Sequence, residues 1–247
     1  MTDTVVLRRG TNSAWIGLNR PERHNALDYA TSQALGEAVA TVERQGPCVL
    51  ILHSTTPGMF VAGTDIADLA KRRIDDALAP INVRLFDQIA NFRWPTIAVV
   101  DGPAFGGGCE LALACDLRVA SSSARFAQPE PSLGILAGAG ANWRLPALVG
   151  VGLARRMLYA GDIVEADEAL AAGLVDRLTD AETLMEVVDE LVKRIAARSW
   201  RALELTKLAL RSQRAETTAF DLVAQGLLYE SDDKTERMRA FLDRGRA

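Results

Sequence analysis

One glutamate, Glu110, and the run of glycines before it are the residues best placed to do chemistry. The stretch Asp101-Gly-Pro-Ala-Phe-Gly-Gly-Gly-Cys-Glu-Leu111 follows an apolar strand candidate, Thr96-Ile-Ala-Val-Val100, and leads into an apolar helix over 111–114. Gly106, Gly107 and Gly108 lack a Cβ, so the chain turns sharply there and a ligand can approach the backbone. A helix starting behind them offers N–H groups without intrahelical partners, and its dipole favours negative charge. Such a turn can hold a phosphate or an oxyanion. Glu110 sits where the apolar helix begins, and burial there raises the pKa of a carboxyl. A raised carboxyl beside backbone donors is what enolate chemistry needs.

Other chemistries fit less well. The turn has neither a following lysine–serine/threonine pair nor the G-x-G-x-x-G spacing, which weakens a nucleotide-phosphate reading. The only histidines are His24 and His53, and no G-x-S-x-G elbow occurs, so a Ser–His–Asp hydrolase is disfavoured. Two histidines without clustered ligands argue against a metal centre. Cys109, beside Glu110, reads as a small buried hydrophobe. Alone, Glu110 could equally be a charge that offsets a helix dipole.

The elements that must carry these residues follow from hydrophobic pattern. Strands are expected at 5–7, 14–18, 49–52, 96–100, 117–120, 125–127 and 174–178. Asp28 is expected to cap a helix in which Leu35, Val39 and Val42 share a face. A second amphipathic helix is expected over 81–92, and Thr64-Asp65 as the cap of another. A short helix over 166–172 should end at Gly173. Segments 181–197, 200–213, 217–229 and 232–244 all read as helices. Strands alternating with helices, then helices alone, give an α/β core with a helical appendage, divided near residue 190.

The 247 residues suffice for one large domain with an appended element. A net charge of −4 gives no reason to expect nucleic acid as a partner. No apolar run approaches the roughly 20 residues that span a bilayer. No signal-peptide pattern opens the chain, and three cysteines form no C-x-x-C pair. These features lead us to expect a cytoplasmic protein.

Three blocks together resemble one family: Phe60-Val-Ala-Gly-Thr-Asp-Ile66, the glycine-turn block, and Phe126-Ala-Gln-Pro-Glu-Pro-Ser-Leu-Gly134. The chain resembles the crotonase (enoyl-CoA hydratase/isomerase) superfamily nearly end to end, from Leu18-Asn-Arg-Pro-Glu-Arg-His-Asn-Ala-Leu27 to Thr235-Glu-Arg-Met-Arg-Ala-Phe-Leu242. The resemblance implies a spiral of ββα units over 1–190 and a helical trimerisation region over 191–247. It implies a homotrimer or a dimer of trimers. It implies an acyl-CoA substrate, with no metal or separate cofactor, and an enoyl-CoA hydratase that adds water to a trans-2-enoyl thioester. Glu110 would help activate the water and Glu130 would protonate the α-carbon. The backbone N–H groups of Ala62 and Gly107 would form the oxyanion hole. Arg23, Ala26, Gly63, Thr64, Asp65, Ile66, Gly106, Pro129, Leu133 and Gly138 would contact substrate or coenzyme A. A double-bond isomerase, or another acyl-CoA lyase or hydrolase of the superfamily, is the alternative. A non-catalytic acyl-CoA-binding or protein-binding relative would be expected to lack a glutamate or the glycine turn. The chain departs from the usual pattern at Thr64, Pro131, Leu136-Ala137 and Trp143, which bears on the substrate.

Overall fold

The structure, a computed structural model, describes residues 4–211, 226, 229, 230 and 232–244. Six strands form the main sheet: β1 (Val5–Arg9), β2 (Ser13–Leu18), β3 (Val49–Ser54), β4 (Thr96–Val100), β6 (Leu117–Ser121) and β9 (Arg177–Thr179), in that spatial order. β1 and β2 pair antiparallel as a hairpin, and every later pair is parallel. A parallel sheet must be covered on both faces, so its central strands are continuous apolar runs whose side chains point alternately to the two sides. Leu50, Leu52, Ala98 and Val100 face the main core. Val49, Ile51, Ile97, Val99 and Val119 face the other way, against Leu184, Val188 and Val192 of helix α8 (Leu184–Ala196). That helix runs unbroken through residue 190, where the sequence pattern changes.

A second sheet has three short strands: β5 (Pro103–Phe105), β7 (Arg125–Ala127) and β8 (Val164–Glu165). β5 and β8 were not expected, being too short for a periodic pattern. The last main-sheet strand is Arg177–Thr179 rather than 174–178. Leu174 and Val175 are buried outside the sheet, because both of their N–H groups donate to the Ala169 carbonyl, at 2.8 and 3.1 Å, and the Leu174 carbonyl accepts from the buried Arg118 Nε at 2.6 Å.

Helix α1 (Tyr29–Arg44) buries Leu35, Val39 and Val42, and Asp28 caps it by accepting from the Thr31 N–H at 2.8 Å. Helix α4 (Ile81–Asn91) packs beside α1. Short helices α2 (Ile66–Leu69) and α3 (Ile74–Leu78) lie between them in sequence. Helix α5 (Gly107–Ala114) is wholly buried. It is followed by α6 (Ala141–Arg155), broken at Gly150, and by α7 (Ala166–Ala171), which ends before Gly173 at φ 79°. Helices α9 (Trp200–Arg211) and α10 (Asp232–Arg244) complete the described chain. The helix expected at 217–229 lies almost entirely outside the described residues. Among the described residues, no helix is long and apolar enough to cross a membrane.

Candidate active site

The glycine turn belongs to α5 itself. Gly106, at φ 50°, is its N-cap, and the helix begins at Gly107, earlier than the apolar residues alone indicate. Glu110 therefore lies in the first turn of a buried helix and is 3% exposed. Its Oε1 accepts from the backbone N–H groups of Ala139 at 2.7 Å and Ala141 at 3.1 Å. Both donors come from the small-residue loop that opens α6. Bonds of this kind favour the ionised carboxylate. The loop is itself tied down: Arg144 Nη1 donates to the Ala139 carbonyl at 3.0 Å, and Nη2 pairs with Asp87 of α4 at 2.7 Å.

Glu130 opens a short 3-10 turn, Glu130–Leu133, between two prolines. It is 8% exposed, and its Oε2 is buried without a hydrogen-bond partner among the described residues. Burial first, and the negative charge of Glu110 second, push its pKa up to about 8. It is thus largely protonated at neutral pH and able to donate. A Cβ on Gly106 would lie 2.7 Å from Glu130 Oε1, so only glycine lets the carboxyl sit against the turn. The two glutamates line one cavity with Ala62, Gly63, Thr64, Ile66, Gly106, Gly107, Pro129, Leu133 and Gly138.

The structure corrects one assignment. The Ala62 N–H donates to the His24 carbonyl at 3.0 Å and is not available to a substrate oxygen. This bond belongs to the anchoring of the 20–27 loop, in which His24 and Asn25 hold positive φ. Asn25 fixes that loop by donating to Ser54 Oγ and the Phe60 carbonyl. Two residues on, the backbone presents a different edge. Leu27 donates to the Gly63 carbonyl at 2.8 Å, and Asp65 donates to the Leu27 carbonyl at 3.0 Å. Gly63, at φ 126°, turns the chain between them. The Thr64 N–H is then directed away from Leu27, and no hydrogen bond among the described residues uses it or the Gly107 N–H. A Cβ on Gly107 would lie 3.4 Å from Thr64 N and 2.7 Å from Thr64 Oγ1, which shows how closely the two backbones approach. The geometry therefore places Thr64, in the position first given to Ala62, opposite Gly107.

Thr64 is held from behind. Its Oγ1 accepts from Asn82 Nδ2 at 3.2 Å, and Asn82 Oδ1 accepts from Ser32 Oγ at 2.8 Å. Nothing in the hydrophobic pattern marks Asn82, because it occupies an ordinary position on the buried face of α4. Asp65 caps α2, accepting from the Ala67 and Asp68 N–H groups, and does not line the cavity. Arg23 and Ala26 also lie outside the lining. Arg23 ends an exposed turn, and the Ala26 carbonyl accepts from Arg20 Nη1 at 2.7 Å. Trp143 lies against the Arg144 guanidinium, 5.0 Å from ring centre to Cζ, and does not line the cavity either. Cys109 is fully buried, and burial together with both glutamate charges pushes its thiol well up, so it is inert.

The chain has counterparts among known proteins along nearly its whole length. The family model described as enoyl-CoA hydratase/isomerase matches residues 9–247. A crotonyl-CoA hydratase from Syntrophomonas wolfei is 36% identical, over 99% of this chain and 97% of its own. A 2,3-dehydroadipyl-CoA hydratase from Escherichia coli is 34% identical, over 97% and 96%. The crystal structure of an enoyl-CoA hydratase from Bacillus halodurans superposes with a TM-score of 0.89 at 26% identity, covering 96% of this chain and all of that one. With a buried glutamate pair, a glycine turn and a fold matched along nearly the whole chain, this protein belongs to the enoyl-CoA hydratase/isomerase family.

Proposed function

We propose that the protein is an enoyl-CoA hydratase that adds water across a trans-2-enoyl thioester, with Glu110 and Glu130 as its acid–base pair. The observation that carries this reading is the contrast between the two carboxyls. Glu110 receives two backbone N–H bonds, whereas Glu130 is buried beside it and protonated near neutral pH. Two adjacent carboxyls in such different surroundings, one held by backbone donors and the other raised by burial, can divide base and acid roles between them. The thioester oxygen accepts from the N–H groups of Thr64 and Gly107. Glu110 takes a proton from water as the hydroxyl oxygen bonds to the β-carbon. The electron pair of the double bond moves to the thioester oxygen, forming an enolate that the two donors stabilise. Glu130 then delivers its proton to the α-carbon, and the proton on Glu110 returns to Glu130, restoring the pair. Coenzyme A arrives with the substrate, and the reading assigns no separate cofactor or metal.

The test follows the loss of conjugated thioester absorbance with crotonyl-CoA. Rapid loss in the wild type, reduced roughly 10²–10⁴-fold in Glu110→Gln, is expected. Undiminished turnover in that variant would remove Glu110 from the mechanism. The relatives named for crotonyl and 2,3-dehydroadipyl thioesters leave the acyl end as the open variable.

The reading also includes a cytoplasmic homotrimer or dimer of trimers, with residues 191–247 in its assembly. Leu205, Leu208 and Leu210 of α9 are exposed on the single chain, which supports an interface there. Sedimentation velocity should give a trimeric or hexameric mass, and a stable monomer at micromolar concentration would refute it.

A further inference from the structure

One cation in the cavity has no task in the hydration chemistry. Arg72 follows α2 and lines the same cavity as the glutamates, on the wall that also carries Leu69, Ala77, Leu133, Ile135 and Tyr229. Its side chain is 15% exposed, and Nη2 is buried with no hydrogen-bond partner among the described residues. The nearest carboxylate, Asp68 Oδ2, stands at 3.8 Å, too far for a hydrogen bond, and is partly exposed. A guanidinium cannot shed its proton, so a buried N–H left unfilled is costly. The position of Arg72 is fixed by its backbone. Its N–H donates to the Leu69 carbonyl, and its carbonyl accepts from the buried Lys234 Nζ at 3.2 Å. The surrounding wall is otherwise apolar, as suits an acyl chain, but an acyl chain ending in methyl would leave Nη2 unsatisfied.

We propose that Arg72 recognises a carboxylate at the far end of the acyl chain, so that the preferred substrates are mono-thioesters of 2-enoic dicarboxylic acids. Guanidinium–carboxylate hydrogen bonds are among the stronger ones available in a site. The inference rests on the hydratase reading only for the direction of the acyl chain, from the oxyanion donors towards the wall that carries Arg72. Glu110, Glu130 and Asp68 are the acidic groups nearby, and Arg72 is the cation that draws an anionic tail past them.

Binding separates this inference from catalysis. Saturated acyl-CoA thioesters of six, eight and ten carbons, ending in either methyl or carboxylate, are titrated calorimetrically into the full-length protein. At one or more lengths, the carboxylate-ended member should bind roughly tenfold or more tightly than its methyl-ended partner. Arg72→Met should abolish that difference, and Arg72→Lys should retain part of it. No difference in the wild type at any length, or a difference that survives Arg72→Met, overturns the proposal. Turnover of crotonyl-CoA is measured on the same preparation. Turnover without the binding preference leaves the hydratase reading intact and removes the carboxylate site. The preference without turnover of any enoyl thioester does the reverse.

Discussion

Glu130→Gln should lower kcat for hydration by roughly 10²–10⁴-fold while leaving thioester binding largely intact. Glutamine keeps the size of the side chain and cannot deliver a proton to carbon. The pH dependence gives an independent check. Glu130 is held at about 8 by burial and by Glu110, so it acts as an acid below that pH. In the wild type, kcat/KM should fall as pH rises through about 8, and this limb belongs to the glutamate pair rather than to one residue. Stability should move in the same direction. Between the ordinary carboxyl value of 4.5 and about 8, the folded protein holds a proton on Glu130 that the unfolded chain has released. More protons bound in the folded state means that stability falls as pH rises across that window. Glu130→Gln removes this dependence, so its melting temperature should gain on that of the wild type between pH 6 and pH 9. A variant that melts in parallel with the wild type at both pH values would show that Glu130 is not buried as a neutral acid.

The second large effect concerns the oxyanion donors. Gly107→Ala should cost roughly 10²–10³-fold in kcat, the loss expected when one such donor is displaced. The added methyl group would meet Thr64 Oγ1 at 2.7 Å, and the short threonine side chain, tied to Asn82, has little room to retreat. The two backbones must separate. Thr64→Ala removes the obstructing oxygen and keeps the N–H, so the double variant Gly107→Ala/Thr64→Ala should recover much of the lost rate. Some loss should remain, because Thr64 N would still lie 3.4 Å from the new Cβ. A double variant no better than Gly107→Ala would mean that the two positions do not meet in the transition state. The coupling energy of the cycle measures this contact directly.

Much of this site was legible in the sequence because its chemistry is local. Glu110 stands just after a glycine turn, and Glu130 follows it at a fixed spacing in a proline-bounded turn. Asp28, Asp65 and Gly173 also act where their residue types predict, at helix ends. What could not be read is what depends on distant pairing. Ala62 and Thr64 are equivalent in any local pattern. Only the bond from Ala62 to the His24 carbonyl, across the 20–27 loop, decides which N–H remains for a substrate. The donors to Glu110 come from alanines, which carry no side-chain signal at all. Trp143, the most conspicuous departure in the sequence, turns onto Arg144. Arg72, between Lys71 and Arg73, turns inward to the cavity, and no local pattern marks it. β5 and β8 escaped because two or three residues cannot establish a period, and their neighbours alone make them strands.

The grip of α10 on the cavity wall makes that wall a joint product of early and late parts of the chain. Lys234 Nζ donates to the carbonyls of Ala70, Arg72 and Tyr229, and Tyr229 and Met238 close the apolar cluster with Leu69, Leu133 and Ile135. Glu110 and Glu130 leave the ribosome before Tyr229, Lys234 and Met238 do. Until then the wall opposite the glutamates lacks Tyr229 and Met238, and its apolar lining is incomplete. The lining is completed by the last part of the chain to be made.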